Sequence, residues 1–180
     1  ETNAELPKDA KVKDIAAQLI DNFGAATGAI GDGLEVALGG GRTKFMPNTM
    51  ADPEYADKTG ERTDGRNLVE EFKQKFNAQY VWNKAQFDAI DTKKMQRLLD
   101  LFEPSHMKCE HDRAKSAMNQ PSLDEPSLSE MTTKSIDILA KNKKGYFLMV
   151  EAGRVDHAHH AGNAYRALSE TVALSDAVKA

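Results

Sequence analysis

Residues 145–160 read Gly-Tyr-Phe-Leu-Met-Val-Glu-Ala-Gly-Arg-Val-Asp-His-Ala-His-His. Tyr146 to Val150 is a short apolar run with the look of a buried strand in a parallel sheet. Parallel strands present their binding groups at their carboxyl ends. Glu151 stands directly at that end, and Asp156 and three of the chain's five histidines follow it. If the backbone turns helical after Gly153, Asp156 and His160 lie four residues apart on one face, so a carboxylate oxygen and an imidazole nitrogen can reach one cation. His157 and His159 then point elsewhere. Carboxylate with imidazole suits zinc, and a carboxylate set back at Glu151 suits a harder ion such as magnesium. Two milder readings stand beside this one: solvated histidines interacting with nearby acids, or a pH-dependent surface patch. Spacing alone names no reaction.

Working outward, helical and strand-like patterns alternate, which argues for an α/β fold. Val12, Ile15, Ala16, Leu19, Ile20 and Phe23 recur at helical spacing and predict a first helix from about Lys8 to Asn22. Leu34 to Leu38 predicts a short strand that runs into Gly39-Gly40-Gly41-Arg42. Bare backbone N–H groups there could cradle an anion, but the Gly-Lys-Ser/Thr ending of a phosphate loop is missing, so a tight structural turn is the better reading. From Pro47 to Arg66 the chain is polar and turn-rich, with Asp52-Pro53, Thr59-Gly60 and Asp64-Gly65, and is expected to leave the core. A helix over 67–76, a strand over 80–82 and a strand over 98–102 ending at Glu103 follow. Residues 103–124 form a second irregular excursion, rich in charge and without clear periodicity. Ser127-Leu-Ser-Glu130 is a capping box that opens a helix to about Asn142. Gly145 ends it, and the strand Tyr146 to Val150 delivers Glu151. Ala164 to Ala180 is a final helical pattern.

Composition bounds the function classes. The 180 residues are 40% hydrophobic and 29% charged, ordinary for a globular protein and large enough to bury a sizeable core. A net charge of −4 with scattered basic residues gives no nucleic-acid footprint; the densest basic run, Lys141 to Lys144, reads as a helix C-terminal end. No stretch approaches the ~20 apolar residues of a membrane span. The single cysteine, Cys109, excludes an internal disulfide and reads as a passive thiol, having neither His nor a second Cys beside it. No repeat, low-complexity tract or hinge composition divides the chain, so residues 1–180 are expected to lie within one domain.

The segment from Pro126 to Ala180, and above all Val-Glu-Ala-Gly-Arg-Val-Asp-His-Ala-His-His, resembles the alkaline phosphatases, especially their animal-type branch. The resemblance extends through Leu-Phe-Glu-Pro (101–104), Tyr-Val-Trp-Asn (80–83), Asp-Pro-Glu-Tyr (52–55), Leu-Gly-Gly-Gly-Arg (38–42) and Asp-Ile-Ala-Ala-Gln-Leu-Ile (14–20), nearly the whole chain. It implies part of a three-layer sandwich with a mainly parallel central sheet. It also implies hydrolysis of phosphate monoesters through a phosphoserine intermediate by a zinc and magnesium enzyme, homodimeric and extracellular, periplasmic or on the cell surface. By the resemblance, Glu151 binds magnesium, Asp156 and His160 bind one of two zinc ions, and His157 acts near the phosphate site from behind the metal ligands. His159 fits the branch's pattern without needing to touch metal. A peripheral calcium site is implied at Glu54, the carbonyl of Phe102, Glu103, and either Asp124 or Glu125; all-oxygen ligation agrees with calcium's preference.

The chain departs from the family in what it lacks. It has no Asp-Ser-Ala nucleophile motif, and the remaining metal and phosphate ligands have no match, so Asp156 and His160 leave their zinc short of the usual three protein ligands. Read with the open helical pattern at its end, the chain is expected to be an internal fragment, inactive alone. A metal-binding domain without catalysis is the alternative, and another member of the wider metal-dependent phosphatase and sulfatase superfamily is a third reading that the peripheral-site match disfavours.

Overall fold

The central strand of the sheet is Leu98-Leu99-Asp100-Leu101, four residues that are all buried, as expected for a strand covered on both faces. The computed structural model describes residues 13–21, 31–119 and 125–180, and in it this strand, β3, lies between β1 (Val36–Gly39) and β2 (Gln79–Val81). Both pairings are parallel, with Val36 and Gln79 each opposite Leu98. The protein is therefore α/β, with a small parallel sheet in the order β1-β3-β2.

Side chains alternate across a strand, and the two apolar clusters follow that rule. Leu99 and Leu101 pack with Ala16, Ala17 and Ile20 of α1 (Ile15–Asp21) and with Leu68, Val69 and Phe72 of α2 (Leu68–Phe76). Leu98 and Phe102 pack on the opposite face with Val81, with Phe87 of α3 (Lys84–Asp88), and with Met131 and Ile138 of α5 (Leu128–Leu139). Helices thus cover both faces of the sheet. Asp100 belongs by its period to the α3/α5 side. It is fully buried, and neither carboxylate oxygen has a hydrogen-bond partner among the described residues.

Five of the described helices begin with polar side chains that accept a backbone N–H: Asp14 from Ala17, Asn67 from Glu70, Asn83 from Gln86, Ser127 from Glu130, and Asn163 from Arg166 at the start of α7 (Ala164–Lys179). At Ser127 the predicted capping box is complete, since Glu130 returns a bond to the Ser127 N–H at 2.8 Å. The expected strands at 34–38, 80–82 and 98–102 and the helices at 67–76 and 127–142 all appear, with ends shifted by at most three residues. The first helix is seen as Ile15–Asp21; residues 8–12 and 22 of its expected span lie outside the described residues. The excursion at 47–66 is irregular as expected, stitched by isolated bridges Pro47 to Arg62 and Ala51 to Thr59.

Two expectations are corrected. Residues 103–124 are not wholly irregular, because Glu110–Asn119 forms helix α4. It packs on α7, with Arg166 bonded to Asp112 at 2.7 Å and Arg113 paired to Glu110 one turn back. That helix is held by charge and a tertiary partner, so it shows no strong apolar period in the sequence. Residues 146–150 form no strand. Phe147 and Met149 are 89% and 67% exposed. A parallel strand exists only through a neighbour's N–H and C=O groups, and a groove of about 580 Å³ separates this run from β1, with Leu34 to Gly39 on one bank and Phe147 to Glu151 on the other. Among the described residues β1 pairs only with β3, so its other edge faces that groove unpaired.

Candidate metal centre

The backbone turns helical after Gly153, and α6 (Arg154–His160) carries the Asp/His pattern. Asp156 Oδ2 and His160 Nε2 stand 3.5 Å apart, one helical turn from each other, with side chains 73% and 79% exposed. A carboxylate oxygen and an imidazole nitrogen at that separation, facing outward, form an open two-ligand edge that fits zinc. His157 lies elsewhere, as expected: its Nδ1 is 2.9 Å from an Arg154 Nη, and its ring packs on His106 at 4.5 Å. His159 Nδ1 is 2.9 Å from the carbonyl oxygen of Val155. Glu151 is exposed at the end of the 146–150 run, on the rim of the groove beside β1. Among the described residues no three His, Cys, Asp or Glu side chains gather to hold a metal ion, so Glu151 does not join Asp156 and His160 as a third member.

The second acidic group lies at the carboxyl end of the sheet. The turn Gly39-Gly40-Gly41-Arg42 spends its N–H groups on protein, not on an anion: Gly41 donates to the Ser105 carbonyl and Arg42 to that of Glu103. Gly40 is obligatory, because a Cβ there would sit 2.1 Å from the Ser105 carbonyl oxygen. This turn buries Arg42 completely. Its guanidinium grips Asp52 with Nε and Nη2, both at 2.8 Å, Glu54 at 2.9 Å and the Leu101 carbonyl at 3.0 Å. Burial works to raise the Asp52 pKa, but the Arg42 fork and the N–H groups of Glu54 and Tyr55 overcome it and hold the carboxyl below its usual range.

Glu54 and Glu103, predicted as calcium ligands, feel each other here. Burial, and then the charge of Glu103, push the Glu54 pKa up despite Arg42. A carboxylate whose proton affinity is raised by a neighbouring carboxylate's charge gains from a cation placed beside it. Lys108 Nζ, 3.0 Å from Glu103, supplies positive charge, and the Tyr55 hydroxyl donates to Glu103 at 3.1 Å. Phe102 is buried immediately before Glu103, its ring edge-on to Phe87. Glu125 is 2% exposed and accepts the Lys108 backbone N–H at 2.6 Å, while Asp124 lies outside the described residues. Glu54 and Glu103 are therefore coupled through their charges, and Glu103 is linked to Glu125 through Lys108. Arg42, Lys108, Tyr55 and Arg154 were not singled out from sequence; Arg42, Lys108 and Tyr55 work by bonding acids and Arg154 by bonding His157 and Cys109, and such contacts carry no spacing signal.

Comparison with known proteins gives the family. The alkaline phosphatase family model matches residues 2–180. The chain belongs to the alkaline phosphatase family. It is 40% identical over 187 residues to the tissue-nonspecific alkaline phosphatase of Gallus gallus, covering 98% of this chain and 33% of that protein. It is also 40% identical over 171 residues to the membrane-bound alkaline phosphatase of Bombyx mori, covering 92% of this chain and 28% of that protein. Among solved structures, the cold-active alkaline phosphatase of Shewanella sp. superposes with a TM-score of 0.58 at 28% identity, over 82% of this chain and 29% of that one. The chain thus spans about a third of the length of the alkaline phosphatases it matches.

Proposed function

We propose that this chain is an internal part of the catalytic domain of an alkaline phosphatase, and that the intact protein hydrolyses phosphate monoesters through a phosphoserine intermediate. The observation that carries the reading is the exposed Asp156 and His160 pair, one turn apart on a helix that opens three residues after Glu151. Asp156 and His160 would hold one zinc ion, Glu151 a magnesium ion, and His157 would act on the phosphate without ligating metal. Bound zinc would stabilise the leaving-group oxygen and lower the pKa of water. The chain's own part is to fix those ligands: α6 sets the Asp156 to His160 spacing, and the packing of α6 on α7 holds the helix in place. The nucleophile and the remaining ligands would come from residues outside 1–180. Glu54, the Phe102 carbonyl, Glu103 and Asp124 or Glu125 would hold a calcium ion away from the reacting atoms. The names of the relatives further support a cell-surface or extracellular enzyme, and a homodimer is expected from the family.

Loss of a group that merely supports a ligand costs roughly 10–100-fold, so Asp156→Ala in the intact enzyme should cost more than that in turnover of a phosphate monoester. Zinc content measured on the same sample should fall with it. Full turnover with full zinc content would remove Asp156 from the site. Zinc binding without any turnover in the intact wild-type protein would favour the non-catalytic alternative.

A further inference from the structure

Arg154 opens helix α6 between the proposed magnesium and zinc ligands, yet its guanidinium is engaged with two other groups. One Nη lies 2.9 Å from His157 Nδ1, and the other donates to the Sγ of buried Cys109 at 3.3 Å. A guanidinium has only donors and does not lose its proton in proteins. Nδ1 of His157 must therefore be the acceptor, and the proton of the neutral ring must sit on Nε2. The His106 ring, 4.5 Å away and inclined by 58°, packs on the same imidazole and restricts its rotation. We propose that Arg154 is a positioning residue that locks His157 in the Nε2–H tautomer, so that the ring meets a phosphate oxygen as a hydrogen-bond donor. Phosphate oxygens of an ester or of inorganic phosphate accept hydrogen bonds, and the opposite tautomer would turn a lone pair toward them instead. This rests on the assignment of His157 to the phosphate site made above. His157 would be the group that touches phosphate, with Arg154 acting through it.

The test is nitrogen NMR of the intact, metal-loaded enzyme carrying ¹⁵N-labelled histidine, with His157 assigned by its disappearance in His157→Gln. The wild type is expected to show a bare Nδ1 and a protonated Nε2. Arg154→Met, which keeps length but loses every donor, should give a mixture of tautomers, and Arg154→Lys, which retains a donor, should restore the wild-type pattern. A protonated Nδ1 in the wild type overturns the proposal, as does an Arg154→Met spectrum identical to wild type. Should Arg154→Met fail to fold, the wild-type spectrum still decides. In kinetics, Arg154→Met should raise KM for p-nitrophenyl phosphate roughly five-fold, the worth of about one hydrogen bond, with less change in kcat. A tautomer freed as expected with KM unchanged would uphold the hold of Arg154 on the ring and instead remove His157 from the phosphate site.

Discussion

At Arg42 the balance of burial against charge pairing can be read atom by atom. A fully buried cation is tolerated because a fork to Asp52, a bond to Glu54 and one to the Leu101 carbonyl satisfy it. Removing one partner of such a pair leaves the other buried and uncompensated, at about 3–5 kcal/mol. Arg42→Met should destabilise the intact protein by that order in urea unfolding, and a change below about 1 kcal/mol would show that Asp52 is rescued by water. Asp100 is the opposite case, a buried carboxyl with no hydrogen-bond partner among the described residues. Burial pushes its pKa up to about 8, against a weaker pull from Lys134 of α5. Lys134 meanwhile donates to the Phe87 carbonyl. Because the folded pKa lies above the unfolded value of 3.8, folding is favoured most below pH 4, and the contribution is lost as pH rises toward 8. Asp100→Asn removes that slope, so its melting temperature should gain on the wild type steadily from pH 5 to about pH 8 and level off above it. Parallel melting curves across that range would mean that Asp100 ionises normally.

At the scale of elements, what the sequence revealed tracks what is local. Ser127 and Glu130 announce α5 because both halves of the capping box lie within one turn, and Ser127→Ala should lower stability by about 1 kcal/mol in thermal melting. Asp156 and His160 were legible for the same reason: once a helix is granted, spacing fixes their face. Helix α4 was not legible, since Arg166 and the rest of its partner helix lie far along the chain. The run 146–150 failed in the other direction. Its apolar residues promise a strand, but a strand needs a neighbour, and beside this run there is a groove. The peripheral acids could be named as a set, but not the cations that hold them. Arg42 and Lys108 come to Glu54 and Glu103 through the sheet and the return of the chain after β3.

For the whole molecule, two exposed features belong together: the unpaired edge of β1 and the apolar side chains of Phe147 and Met149. Unpaired edges and bare apolar surface are what a sheet avoids in a finished protein. Amide hydrogens of residues 147–150 should be strongly protected from exchange in the intact enzyme and exchange rapidly in the isolated 180-residue chain. Equal rates in both would count against a strand here. The peripheral acids give a second global test. Glu103→Ala should lower the melting temperature of the intact enzyme more than its turnover, and should abolish any rise in melting on adding calcium. Wild-type melting that ignores calcium would count against the site.

Eight consecutive residues, Glu103 to Glu110, touch nearly everything of interest. The charge of Glu103 acts on Glu54, His106 lies on His157, and Lys108 spans Glu103 and Glu125. Cys109 takes Arg154, and the Glu110 N–H donates to Glu170 of α7. The return from the central strand is thus a short tether between the outer acids and the histidine helix. Slack at one end should be felt at the other. Heating that loosens the outer acids should therefore first register as a drifting imidazole at His157, before any helix melts.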